Sequence, residues 1–374
     1  MDNVHESDGR LTRRQVLGVL SAAGLSAGLF GQSLPADDRR PSASGLSQLL
    51  GLDDWSLSFT AGMRRRELKP SKPLTAWDIL AKVRQWGLKG AQVEILSMPK
   101  LGTGDFEAFR KAVAKAKVYW EVSAGSIQNE KGVLQAIDYN LALGSTVIRS
   151  FMEVFSIQLK DISLDDYVSD AIRHIENVLP KFEQHGLHLC LENHGGLRTK
   201  YMRRVLKTFP SEHLGVNLDT GNAILTLEDP VEVARELAPR AYTCHLKDWN
   251  LLRSDDGIVV RGCALGDGVV DLKAILDILR AGAPHGRPLH LNIESPQEYL
   301  PLGLFTAEYW RRHGDVTGSA LEHILRLLEK RNKPARSEDR IASMRGEPES
   351  VILADEETAV LRSVAYCRDV LHLI

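Results

Sequence analysis

Beyond residue 54 the chain alternates short apolar runs with longer stretches of mixed character. The apolar runs fall at 55–60, 90–96, 118–124, 146–152, 187–193, 214–219, 241–246 and 288–294. Their length and apolar content predict buried parallel strands. Between them, apolar residues recur at helical spacing, predicting helices over 75–86, 105–117, 164–184, 200–209, 230–237 and 272–280. The punctuation agrees: Thr75 is placed to cap a helix start, Pro180 sits late in a long helix, and Gly186 and Gly282 follow helix ends. Eight strands alternating with helices predict an α/β fold, a (β/α)8 TIM barrel. A doubly wound open sheet is the alternative, but no glycine-rich phosphate loop follows the first run.

The two ends of the chain break this rhythm. Thr12-Arg13-Arg14-Gln15-Val16-Leu17 leads into an uncharged run, 16–31, rich in Ala, Gly, Leu and Ser. Residues 1–36 are therefore expected to form an N-terminal export signal, and the paired arginines resemble the twin-arginine type, with cleavage after Ala36. The run is too short and too rich in Gly and Ser for a transmembrane helix, so no integral membrane span is expected in the mature protein. Residues 37–54 read as a polar, Ser/Pro-rich linker, and the barrel is expected over 55–332. Within 333–374 a charged linker, 333–350, precedes an amphipathic helix, 354–372, whose apolar positions are Val360, Leu361, Val364, Val370 and Leu371. This C-terminal helical extension either packs on the barrel or serves a homo-oligomer contact.

Composition narrows the function classes. Of the 374 residues 43% are hydrophobic and 26% charged, ordinary values for a chain with a substantial core. The net charge of −2 gives no reason to expect a nucleic-acid or anionic-membrane partner. The four cysteines, Cys190, Cys244, Cys263 and Cys367, show no metal-binding spacing and are expected to be free.

The chemistry lies at the ends of four apolar runs. HLCLENH carries Glu192, GVNLDTGN carries Asp219, YTCHLKDW carries His245 and LHLNIES carries Glu294. Strand parity places Glu192 on the face of Cys190, Asp219 with Asn217, His245 with Thr243 and Lys247, and Glu294 with Asn292. Leu191, Leu218, Cys244 and Ile293 fall on the helix-facing side. Three carboxylates and an imidazole converging at the C-terminal mouth of a barrel would hold one divalent cation, Mn²⁺ foremost, with Mg²⁺, Co²⁺ or Zn²⁺ as alternatives. Packed together without a cation they would repel.

ENH at 192–194, NLDTGN at 217–222, HLKD at 245–248 and IES at 293–295 resemble the xylose-isomerase-like barrel superfamily of sugar isomerases, epimerases and dehydratases. LGDGVVDL at 265–272 is similar to its loop between the seventh and eighth strands. The resemblance implies that Glu192, Asp219, His245 and Glu294 bind the metal, and that Glu192 and Glu294 form an acid/base pair working through an enediolate. It implies a small-molecule carbohydrate substrate and an isomerase or epimerase. A dehydratase or other lyase is the alternative, as is a catalytically silent carbohydrate-binding barrel. The apurinic-site endonucleases of the same barrel need more ligands and a basic groove.

Five further residues are candidates for substrate contact. His194 shares the Glu192 face and either binds hydroxyls, shuttles protons or orients the site. Lys247 either polarises a carbonyl or pairs with Asp248 or Asp219. Asn222 stands where many epimerases of the family place a substrate-binding histidine, which leaves a lyase open. Trp249 either stacks on a sugar or packs, and Glu94 either reaches a hydroxyl or forms a salt bridge. Arg64, Arg65 and Arg66 follow the first run as a carboxylate-binding or merely solvated charge cluster.

Overall fold

The computed structural model describes residues 48–152, 163–312, 316–331 and 333–374; the expected export segment, 1–36, lies outside them. Eight parallel strands make one sheet: β1 (Gln48–Asp53), β2 (Gly90–Glu94), β3 (Tyr119–Ser123), β4 (Val147–Phe151), β5 (His188–Glu192), β6 (Leu214–Asp219), β7 (Ala241–Leu246) and, after the antiparallel hairpin β8 (Trp249–Ser254) and β9 (Gly257–Gly262), β10 (Leu289–Ile293). Their order is β3-β2-β1-β10-β7-β6-β5-β4. The ring closes where the chain beyond β3 meets β4: Ala124 N–H donates to the Arg149 carbonyl at 2.8 Å, and Ile127 N–H to that of Phe151 at 2.9 Å. This is the expected (β/α)8 TIM barrel.

Helices α1 (Ala76–Gln85), α2 (Gly104–Ala116), α3 (Glu130–Leu143), α4 (Leu164–His185), α5 (Thr199–Thr208), α6 (Pro230–Leu237) and α7 (Leu272–Gly282) alternate with the strands. Thr75 caps α1 in a reciprocal box with Asp78, and Gly186 ends α4 in the left-handed conformation. Gly282 is the last residue of α7 rather than the one beyond it. Helix α3 escapes the periodicity argument because it carries apolar residues outside its buried face: Leu134 and Leu141 are exposed. The helix-facing strand residues Leu191, Leu218, Cys244 and Ile293 all join the main core, where each fully buried aliphatic side chain contributes about 1.5–3 kcal/mol.

The first strand corrects the sequence expectation. It is Gln48–Asp53, not 55–60, so the barrel begins inside the stretch read as a linker. Gly51 disguises it, because a glycine and flanking serines look like loop. The glycine is there for space: a Cβ at 51 would lie 2.0 Å from Tyr119 Oη and 2.7 Å from the Gly90 carbonyl oxygen. Trp55–Thr60 instead form a short 3-10 turn and loop whose apolar residues, Leu57 and Phe59, are buried.

The C-terminal extension packs against the barrel mouth. Strand β11 (Tyr299–Leu302) pairs with β9, followed by α8 (Ala307–Arg312), α9 (Gly318–Arg331) and α10 (Glu349–Asp369). The 333–350 stretch is more than a linker, since Ile341 and Ala342 are buried against Phe59. Helix α10 is tied to the barrel by two polar residues. Glu356 accepts from Phe59 N–H at 2.7 Å and from Thr60 N–H and hydroxyl at 2.9 and 2.7 Å. Ser363 Oγ sits 2.7 Å from Ser295 Oγ and accepts from Leu265 N–H at 3.0 Å. Among the described residues no helix is long and apolar enough to cross a membrane. All four cysteines are free and buried.

Candidate metal centre

Glu192 and Asp219 end β5 and β6, His245 is next to last in β7, and Glu294 follows β10. These four strands are successive neighbours in the sheet, so the residues form an arc with Glu192 and Glu294 at its outer ends. One ligand atom from each lies within 4.8 Å of the others. The remaining atom of every ligand is tied outward. Glu192 Oε2 meets Arg149 Nη2 at 2.5 Å and Nε at 2.6 Å. Asp219 Oδ1 accepts from Gly221 and Asn222 N–H at 2.7 and 2.8 Å. His245 Nε2 lies 2.8 Å from Gln92 Oε1 and 3.2 Å from Asp53 Oδ2. Glu294 Oε1 is 2.7 Å from Lys247 Nζ. The inner atoms Asp219 Oδ2, His245 Nδ1 and Glu294 Oε2 are buried without a well-aligned hydrogen bond. Their near neighbours are Lys247 Nζ, 2.9 Å from Asp219 Oδ2, and one another, with His245 Nδ1 2.8 Å from Glu294 Oε2; three carboxylates and an imidazole converging in this way suit a divalent cation.

The electrostatics agree. Burial, opposed by Lys247 and reinforced by Glu294 and Glu192, raises the Asp219 carboxyl well above its ordinary range. Burial also disfavours ionised Glu294 and Glu192, but Lys247 and His245 hold the first low, and Arg149 and His245 the second. The carboxylates around His245, Asp53 foremost, outweigh burial and raise its imidazole. Metal-free, the cluster therefore keeps protons where a divalent ion would supply positive charge.

Residues 80–326, well over half of the chain, match the xylose isomerase-like TIM barrel. The chain belongs to that family. It is 31% identical over 157 residues to 3-oxo-isoapionate decarboxylase of Pectobacterium atrosepticum, a match covering 41% of this chain and 55% of that protein. It is 21% identical over 224 residues to the uncharacterized protein YihM of Escherichia coli, covering 59% and 65% respectively. The chain thus spans between half and two thirds of the length of these relatives. Among solved structures, a D-tagatose 3-epimerase-like protein aligns with a TM-score of 0.50 at 14% identity, over 76% of this chain and all of its own. D-Psicose 3-epimerase of Clostridium cellulolyticum H10 aligns with a TM-score of 0.51 at 12% identity, over 75% and 99%. At such identities the likeness is one of fold.

The cluster is flanked by side chains that the sequence placed unevenly. Lys247 pairs with Asp219 at 2.9 Å and Glu294 at 2.7 Å. Asp248 instead takes the main-chain N–H groups of Trp249, Gly266, Gly268 and Val270, so the 265–272 loop wraps around it. Asn222 bridges Glu192 Oε1 at 3.1 Å to Lys247 Nζ at 3.3 Å. His194 is half-buried, stacks on Phe151 at 4.5 Å and lies close enough to Glu192 to help keep it ionised. Glu94 forms the salt bridge, to Arg149 at 3.1 Å. Trp249 is a correction: its ring is fully buried beside Ile224, Leu251 and Ile324, where it backs Lys247 at 5.6 Å and offers no face to a sugar. Arg64 lies over Phe59 and pairs with Glu67. Arg149, Gln92 and Asp53 were missed. An arginine inside the apolar run VIRSF was the available signal for the first, and the displaced first strand hid the last.

Proposed function

We propose that this protein is a divalent-metal-dependent lyase that decarboxylates an oxidised sugar acid bearing a carbonyl β to its carboxylate. The observation that carries this is the outward bonding of the two arc-end glutamates. Each gives one oxygen to a fixed cation, Glu192 to Arg149 and Glu294 to Lys247, and both are held in the ionised, weakly basic form. Epimerisation needs an unencumbered base on each face of a carbon, whereas decarboxylation needs none. It needs positive charge where an enolate forms and a proton for the carbon left behind. The 31% identity to a decarboxylase of a 3-oxo sugar acid supports this reading.

When bound, the ion would supply a Lewis acid beside the substrate carbonyl. Glu192, Asp219, His245 and Glu294 would hold it. Lys247, whose ammonium the Asp219 and Glu294 carboxylates keep protonated against the effect of burial, stabilises oxyanion charge. The carbon–carbon bond breaks, its electron pair becomes the enolate, and carbon dioxide leaves. His194, on the half-buried wall next to Glu192, delivers the proton to carbon. The twin-arginine-type segment supports action outside the cytoplasm, on unphosphorylated sugars.

A second reading, a sugar isomerase or epimerase, is favoured by the placement of Glu192 and Glu294 at opposite ends of the arc. The test is incubation of Mn²⁺-loaded protein with 3-oxo sugar acids, ketoses and 3-keto-glycosides in D₂O. Release of carbon dioxide with one deuterium incorporated is the expected outcome. Deuterium exchange without loss of carbon dioxide would replace it with the second reading.

A further inference from the structure

Beneath the metal cradle lies a row of buried polar side chains that the proposed reaction does not use. Gln92, on β2, and Glu121, on β3, are fully buried. The Gln92 amide nitrogen donates to Glu121 Oε2 at 2.7 Å, and its Oε1 lies 2.8 Å from His245 Nε2. Glu121 Oε1 is 2.6 Å from His290 Nδ1, and Oε2 also accepts from Thr243 Oγ1 at 3.2 Å. Burial alone would raise the Glu121 carboxyl, yet the His290 imidazole and the bonds from His290 and Gln92 hold it below its ordinary value. It stands as a carboxylate and accepts at both oxygens.

A side-chain amide has one donor end and one acceptor end, and against an acceptor-only group it has a single choice. Gln92 must turn its NH₂ to Glu121 and so presents only its oxygen to His245. That oxygen, with Asp53 Oδ2 at 3.2 Å from the same nitrogen, calls for a hydrogen on Nε2. In a neutral imidazole the lone pair is then on Nδ1, the atom facing Glu192, Asp219 and Glu294. We propose that Gln92 and Glu121 are positioning residues that orient His245 for a divalent cation, with Glu121 acting through Gln92. The inference rests on the metal-site reading, and concerns which residues outside the ligand set determine its affinity.

Mn²⁺ binding to the full chain, measured by titration calorimetry, tests both separately. In Glu121→Gln the new amide can face Gln92 with either end and no longer dictates its orientation. In Gln92→Leu the acceptor is gone. Both variants are expected to bind Mn²⁺ roughly ten- to hundred-fold more weakly than the wild type. Tyr119→Phe removes a hydroxyl from the same buried layer, one that donates to Asn292 at 2.8 Å, and leaves Gln92 untouched; it is expected to bind as the wild type does. Wild-type affinity in Glu121→Gln, or equal weakening in Tyr119→Phe, would overturn the proposal. Failure of the wild type to bind Mn²⁺ would remove the metal reading itself, and the proposal with it. Should a variant not fold, ¹⁵N spectra of the Zn²⁺-loaded wild type decide alone. The metal is expected on Nδ1 with the hydrogen on Nε2 of His245, and the reverse arrangement refutes the idea.

Discussion

Two layers of the barrel interior hold polar side chains and use them in opposite ways. In the lower layer Glu121, Gln92, His290, Thr243, Asn292 and Tyr119 bond among themselves. Asn292 donates to Thr243 at 3.2 Å, and the Tyr119 and His290 rings stack at 3.7 Å. In the upper layer Glu192, Asp219, His245 and Glu294 bond outward and turn one atom each toward a shared centre. The contrast appears in the carboxyls: Glu121 is held below its ordinary value by an imidazole, whereas burial and like charges raise Asp219. A polar layer whose members answer one another, with Gln92 reaching up to His245, stabilises the barrel. One that anchors its outer atoms and crowds like charges within is arranged for a cation, and costs stability without it.

Asp219→Asn strikes that difference hardest. It removes a ligand and is expected to weaken Mn²⁺ binding by at least about 10⁴-fold, roughly 5.5 kcal/mol. It also relieves the crowding, so the metal-free variant should melt a few degrees higher than the metal-free wild type, which thermal unfolding in chelator will show. Arg149→Met leaves Glu192 buried without its guanidinium and should cost about 3–5 kcal/mol of metal-free stability, measured by urea unfolding. Glu121→Gln should lower it too, by about 2–3 kcal/mol, since charge-assisted bonds are lost from a satisfied layer. If Asp219→Asn and Glu121→Gln move the metal-free melting temperature in the same direction, the two layers do not differ as described.

The barrel and its ligand arc were legible because both rest on period and position. Seven of the eight strand runs fall where apolar content put them, and parity sends Leu191 and Ile293 to the core and Glu192 to the lumen. What escaped depends on partners distant in sequence. Gly51 reads as loop until Tyr119 is seen against it. The pairing of Arg149 with Glu192 spans 43 positions and that of Gln92 with His245 spans 153, distances no local pattern encodes. Of the two readings of Trp249 packing holds, because the β8–β9 hairpin, turning at Asp255-Asp256, buries it. The cations beside Glu192 and Glu294 likewise come from other strands, Arg149 from β4 and Lys247 from just beyond β7.

Glu356 supplies a third buried carboxyl, and a finer test of what separates the first two. It accepts from Phe59 and Thr60 main-chain N–H and from the hydroxyls of Ser58 and Thr60. These bonds and the charge of Arg64 favour ionisation, but burial prevails and pushes the carboxyl up to about 7. A carboxyl raised in the folded state stabilises the fold fully below its ordinary value near 4.5, and that contribution is lost as pH rises through about 7. Glu356→Gln imitates the neutral form, since its NH₂ can donate to either hydroxyl. Relative to the wild type, the variant should therefore gain on the order of 2 kcal/mol between pH 5 and pH 8, read from urea unfolding at each pH. A difference independent of pH would mean that four neutral donors suffice to hold a buried carboxylate ionised. The imidazole beside Glu121 would then not be what keeps the lower layer charged.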